Sequence, residues 1–101
     1  MRNLIVNLNK AFENRIRLGV MSILMVNDAV DFNYLKETLD LTDGNLASHL
    51  SALEKSDYIE VKKTFIGKKP NTSYRVSKQG RQAFKDHLDA LESLIKNSDN
   101  K

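Results

Sequence analysis

Apolar positions fall into helical spacing at both ends of the chain and into alternation between them. Phe12, Ile16, Val20, Ile23 and Leu24 recur three or four residues apart, which predicts a helix from about Lys10 to Val26. Leu4, Leu8 and Ala11 carry the same spacing upstream and move the start as early as Asn3, while Arg15 and Arg17 point in other directions. Asn27-Asp28-Ala29 reads as a stop, and Val30-Asp31-Phe32 as a short extended piece. Asn33 then offers a cap for a short helix to about Asp40, with Tyr34, Leu35 and Leu39 on its apolar side. Thr42 offers a second cap, opening a helix to about Lys55 whose Leu46, Leu50 and Leu53 stand at i, i+4 and i+7. Two short helices across a turn are a helix-turn-helix candidate.

After Ser56-Asp57 the period changes to two. Ile59, Val61 and Phe65 share one face of a strand running from Tyr58 to about Phe65, and Glu60, Lys62 and Thr64 share the other. Lys63 interrupts the apolar face, so the strand is expected to leave the core near it. Gly67-Lys68-Lys69-Pro70-Asn71 is turn chemistry. Thr72 to Val76 returns with Tyr74 and Val76 inward and Ser73 and Arg75 outward. Ser77 caps a final helix from Lys78 to about Ile95, whose apolar side holds Ala83, Phe84, Leu88, Ala90, Leu91, Leu94 and Ile95, with His87 among them. That stripe spans about 160° of the helical wheel, wider than the ~100° one core contact needs. Phe84, Leu88, Leu91 and Ile95 also repeat at the 4-3-4 spacing of a short coiled-coil seam, so one edge should close the domain and the other pair with a second copy.

The pattern describes one domain over residues 1–96, of α+β class and mainly α, followed by a flexible tail at 97–101. At 101 residues the chain suits a single modest core. It has no cysteine, which removes disulfides, thiolate metal sites and cysteine nucleophiles. Its longest apolar stretch, Val20 to Val26, is too short to span a bilayer, and Asn3, Asn7, Asn9 and Lys10 spoil a signal-peptide core. A cytoplasmic protein with no membrane partner is expected. No paired carboxylates mark a cleft, and only four glycines are present, with no phosphate-cradling loop, so an enzyme is not expected. His49 and His87 are the only imidazoles and have no ligand partner at helical spacing, so neither metal nor cofactor is expected.

Charge changes the picture through its distribution more than through the net value of +3. Residues 27–60 hold eight acidic side chains against Lys36 and Lys55. Residues 61–85 hold eight basic ones and no acidic one: Lys62, Lys63, Lys68, Lys69, Arg75, Lys78, Arg81 and Lys85. The hairpin tip thus carries Lys68 and Lys69, suited to phosphates or to a minor groove. The helix opened by Thr42 turns Asn45, Ser48, His49, Ala52 and Lys55 away from its leucines. These are mostly small, uncharged side chains that can approach base edges.

Helix, short strand, helix-turn-helix (about 33–55), basic hairpin (about 58–76) and final helix (about 78–96) together describe a winged helix-turn-helix. At Asn14-Arg15-Ile16-Arg17-Leu18, Phe32-Asn33-Tyr34-Leu35-Lys36 and Leu41-Thr42-Asp43-Gly44-Asn45-Leu46-Ala47-Ser48-His49-Leu50 the chain resembles short, stand-alone winged-helix transcriptional regulators related to the MarR and ArsR groups. The likeness continues through Leu53-Glu54, Tyr58-Ile59, the wing Lys68-Lys69-Pro70-Asn71-Thr72 and Ser77-Lys78-Gln79-Gly80-Arg81, covering about residues 9–95. It implies a regulator that binds double-stranded DNA as a homodimer on a near-palindromic operator, the second helix of the motif in the major groove. It further implies base contacts from Asp43, Gly44, Asn45, Ser48 and His49, and backbone contacts from the wing at Lys68, Lys69 and Thr72, to which Lys62 and Arg75 add charge. The N- and C-terminal helices would form the dimer interface, through Leu4, Leu8, Phe84, His87, Leu88, Leu91, Leu94 and Ile95. A small-molecule effector of unknown identity would have to enter the dimer cleft. One departure stands out: the family usually has Gly where this chain has Asp57. The alternative is a winged helix that docks an acidic protein and does not bind DNA.

Overall fold

Two asparagines divide the N-terminal helical pattern that apolar spacing alone makes continuous. In the computed structural model, which describes residues 5–99, the Asn9 side chain accepts from the Ala11 N–H and opens a single 3-10 turn, Lys10–Phe12. Asn14 is extended, and its Oδ1 accepts from the Ile16 and Arg17 amides, so helix α1 runs only from Arg15–Met25. A continuous helix from Lys10 is therefore corrected: short side-chain carbonyls satisfy the first free amides of two separate segments. Leu4 and a start at Asn3 lie outside the described residues.

Strand β1 is Val30–Asp31, and Asp31 rather than Asn33 caps helix α2, Phe32–Leu39, by accepting from the Tyr34 N–H at 2.8 Å. Leu35 is fully buried there, whereas Tyr34, expected on the apolar side, is about half exposed. Thr42 caps helix α3, Asp43–Lys55, as its sequence predicts. Both α2 and α3 end on an aspartate in the left-handed region, Asp40 at φ 53° and Asp57 at φ 62°. Beyond each, the next amide reaches back across the last turn: Leu41 N–H to Lys36 O and Tyr58 N–H to Leu53 O, both at 3.0 Å. These are Schellman closures, in which Asp57 takes the conformation that glycine adopts most cheaply.

Strands β2, Ile59–Ile66, and β3, Lys69–Val76, form the hairpin, and β1 adds to it in the order β1-β3-β2, all antiparallel. The turn is tighter than its composition implies. Gly67, at φ 66°, lets Gly67-Lys68 alone reverse the chain, so Lys69, Pro70 and Asn71 belong to β3. Pro70 is tolerated because β1 pairs with β3 only at Ser73 and Tyr74, leaving an edge at the Pro70 end. The hairpin leaves the core after Val61, as Lys63 foretells, and this corrects Phe65, which is 73% exposed rather than inward.

Helix α4, Lys78–Asp99, closes the molecule. The core it covers is built on Phe12, Val20, Met21, Leu24, Leu35, Leu46 and Leu53. Met21 lay outside the periodic stripe and is buried because α1 is wrapped on more than one side. The Phe12 ring lies 5.2 Å from Phe84 and 5.4 Å from His87, both edge-on. Asn9 N–H donates to His87 Nδ1 at 3.0 Å. Phe84 and His87, expected on a dimer face, thus point into the monomer core, because the turn at Phe12 folds back onto α4.

One junction ties these parts together. Ser77 Oγ donates to Asp57 O at 2.6 Å and accepts from Gly80 N–H at 2.8 Å, while Ser77 N–H donates to Tyr58 O at 3.0 Å. A Cβ on Gly80 would lie 2.0 Å from that Tyr58 oxygen, so only glycine permits this approach. Gly80→Ala is expected to destabilise the protein by about 3 kcal/mol, since backbone rather than a flexible side chain must give way. Asp57→Gly should instead stabilise it by about 0.5–1 kcal/mol by relieving the left-handed conformation. Urea midpoints of the two variants check both signs.

Candidate nucleic-acid interface

Burial of Leu46, Leu50 and Leu53 fixes the roll of α3 about its axis and turns Asp43, Gly44, Asn45 and Ser48 to solvent. At the start of α3, Thr42 Oγ1 accepts from Asn45 N–H and Thr42 O from Leu46 N–H. Asp43 is an acidic residue in this first turn, where the helix dipole favours it, and its Oδ1 lies 2.8 Å from Lys36 Nζ. That pair is exposed and adds little stability. Its effect is local: an α2 ammonium offsets the carboxylate that would repel phosphates. An added Cβ on Gly44 meets nothing within 4 Å, so no contact inside the protein requires glycine there.

His49 differs from its neighbours in being partly buried and held from another helix. Arg17 Nε–H of α1 donates to His49 Nδ1 at 3.0 Å. Burial, and then the positive charge of Arg17, lower the His49 pKa below the ordinary histidine value, so its imidazole is neutral at pH 7. Arg17 is a residue of this face that periodicity could not reveal. It lies 32 positions from His49, and the sequence carries no sign of the pairing.

On the hairpin, register decides which cations act together. The pairs Glu60↔Arg75, Lys62↔Ser73 and Ile66↔Lys69 place Lys62, Lys69 and Arg75 on one face. Lys63↔Thr72 lies on the other, so Thr72 does not share a face with Lys62 or Arg75. Lys68 stands in the turn. Arg75 Nε meets Glu60 Oε1 at 2.8 Å, which engages the one guanidinium among the wing residues expected to contact the backbone. Among the described residues no carboxylate pairs with Lys62, Lys63, Lys68 or Lys69.

Along α4, Leu88, Leu91 and Ile95 stay exposed and Leu94 is half-buried, as is Leu8 of the N-terminal segment. No group of three or more potential metal-ligating side chains occurs among the described residues, and none of their helices is long and apolar enough to cross a membrane.

A capped helix with a polar outward face, set beside a basic two-stranded hairpin, is the arrangement of a winged helix-turn-helix. The chain belongs to the winged helix DNA-binding domain family, whose sequence pattern matches residues 16–95. It is 39% identical over 88 residues to an uncharacterized protein of Methanocaldococcus jannaschii, covering 87% of this chain and 96% of that one. Its fold matches a transcriptional regulator homologue from Pyrococcus horikoshii OT3 with a TM-score of 0.81 and 31% identity, over 88% of each chain. It also matches reduced AbfR bound to DNA, with a TM-score of 0.71 and 19% identity over 83% of this chain and 61% of that one. At that identity the second likeness is one of fold. The protein is a short winged-helix DNA-binding regulator.

The open space at Gly44 has a measurable consequence. Gly44→Ala should leave stability unchanged or raise it by up to about 1 kcal/mol, because alanine is the better helix former and nothing clashes. Thermal or urea unfolding checks this, and a marked loss of stability would contradict the placement of residue 44.

Proposed function

We propose that the protein is a sequence-specific transcriptional regulator that binds a near-palindromic operator as a homodimer. The observation that carries this reading is the placement of an outward, mostly uncharged α3 face beside unpaired lysines of the wing. In this reading α3 lies in the major groove, with Asn45, Ser48 and His49 at base edges and Asp43 and Gly44 at the close approach of its first turn. Lys62, Lys68, Lys69 and Thr72 meet the sugar-phosphate backbone from the hairpin. Arg75 contributes less, because Glu60 offsets its charge. The exposed stripe of Leu88, Leu91 and Ile95 on α4 pairs with its copy in a second subunit, setting the two α3 helices about one turn of DNA, ~34 Å, apart. AbfR, whose fold this chain shares, is a protein seen bound to DNA.

A small-molecule effector is no part of this reading. A cleft of about 690 Å³ lies between the N-terminal segment and α4, with Asp86 and Asp89 among its lining residues. Among the described residues, no buried side-chain nitrogen or oxygen is left without a partner to select a ligand.

Replacing both Lys68 and Lys69 by alanine should weaken DNA binding and reduce the log–log salt slope by about 2, one unit per lost phosphate contact. An unchanged slope would remove the wing from the interface and favour an acidic protein partner instead. Gly44→Ala should lower affinity for the operator by about tenfold without loss of stability. Leu91→Glu should convert a dimer to a folded monomer in sedimentation, because it charges the exposed stripe and leaves the core intact.

A further inference from the structure

A neutral imidazole has two tautomers, and they offer opposite chemistry to a base. With the proton on Nε2 it donates, which suits guanine O6 or N7 and thymine O4; with the proton on Nδ1, Nε2 accepts, which suits cytosine N4 or adenine N6. An unconstrained histidine on a reading helix can therefore satisfy either edge. A guanidinium can only donate. The Arg17 Nε–H bond to His49 Nδ1, at 3.0 Å, thus excludes the Nδ1–H tautomer. Among the described residues, no hydrogen-bond partner takes His49 Nε2.

We propose that Arg17 is a positioning residue that sets the base preference of His49, presenting its Nε2 as a fixed hydrogen-bond donor to DNA. This rests on α3 being the base-reading helix. Arg17 is itself placed firmly. Asn14 Oδ1 accepts from its backbone N–H at 3.2 Å, so the guanidinium leaves a capped first turn of α1, which packs on α3. The chain of control runs from Asn14 through Arg17 to His49 and crosses from one helix to another.

Burial and the Arg17 charge also favour the neutral ring. Helices α1 and α2 and strand β2 pack against α3; of their charged residues Arg15, Arg17, Lys36, Glu37, Glu60, Lys62 and Lys63, only Arg17 shifts His49. The shift is downward, through burial first and Arg17 second. In the native protein the Nε2 donor is therefore one tautomer of a neutral ring near pH 7, and the bond from Arg17 selects it. Without Arg17, the same donor is guaranteed only when acid protonates both nitrogens.

The test uses the full chain and a duplex selected from a random-sequence pool by the wild-type protein. Discrimination is the ratio of affinities for that duplex and for its scrambled form, measured at about pH 8 and about pH 5.5. Arg17→Leu should lose about tenfold of discrimination at the higher pH and recover most of it at the lower, where imidazolium carries both N–H groups. His49→Ala should lose it at both, and the double variant should match His49→Ala. Unaltered discrimination in Arg17→Leu overturns the proposal. So does an equal loss of affinity for both duplexes that persists in the His49→Ala background with a smaller salt slope, which would make Arg17 a phosphate contact. A two-bond ¹H–¹⁵N spectrum of the unmodified protein needs no variant: a proton found on Nδ1 of His49 overturns the proposal directly. A wild-type protein that enriches no sequence at all would overturn the regulator reading itself, and this proposal with it.

Discussion

The Ser77 hydroxyl bonds in two directions, to the carbonyl that ends one helix and from an amide that begins another, and the outward surfaces of the protein hang from that point. Asp57 O and Tyr58 O belong to the exit from α3, and Gly80 N–H to the first turn of α4. Both roots of the hairpin meet there as well, since β2 begins at Ile59 and β3 ends at Val76. Gly80 presses backbone against backbone with no side chain between. The angle between α3 and α4 is therefore set by main-chain contact, which deforms less readily than packed side chains. In the proposed homodimer, a rigid link at this place holds the two α3 helices at a set spacing on DNA.

Charge is arranged with the same economy. Part of the acidic stretch is engaged locally: the Asp31 carboxylate caps α2, Asp43 pairs with Lys36 and Glu60 with Arg75, while Asp40 and Asp57 close helices through their backbone conformation. Half of the basic stretch, Lys62, Lys63, Lys68 and Lys69, lies on the hairpin with no carboxylate partner among the described residues, where β2 and β3 extend past the core. Phe65 and Ile66 are exposed there because the strands project as an arm rather than lying flat on the molecule. The outcome is a mostly uncharged, hydrogen-bonding helix face beside unpaired lysines; in the proposed function the first discriminates bases and the second bind any duplex.

Much of this was legible in the residues themselves. Leu46, Leu50 and Leu53 specify which side of α3 is buried, and hence which side is free; the alternation from Ile59 onward, broken at Lys63, specifies the hairpin and where it leaves the core. What stayed hidden was decided by hydrogen bonds rather than by apolar spacing. Asn9 and Asn14 split one periodic pattern into a turn and a helix, because a side-chain carbonyl competes with the helical ladder at no cost in hydrophobicity. Asp31 outcompeted Asn33 as a cap. His87 and Phe84 went inward because Phe12 folds back over α4, a contact between distant segments. The pairing of Arg17 with His49 is of the same kind: two polar residues on different helices, joined only once the fold brings them together.

In the proposed function this surface recognises a DNA sequence and not merely its charge. Fluorescence anisotropy with the DNA upstream of the protein's own gene and with a scrambled duplex, at low and at physiological salt, tests it most directly. Tighter binding to the upstream DNA that survives the higher salt is expected, because base-edge contacts on α3 do not depend on counterion release. Equal affinity for the two duplexes, lost together as salt is added, would contradict it and leave the wing as a simple polyanion clamp.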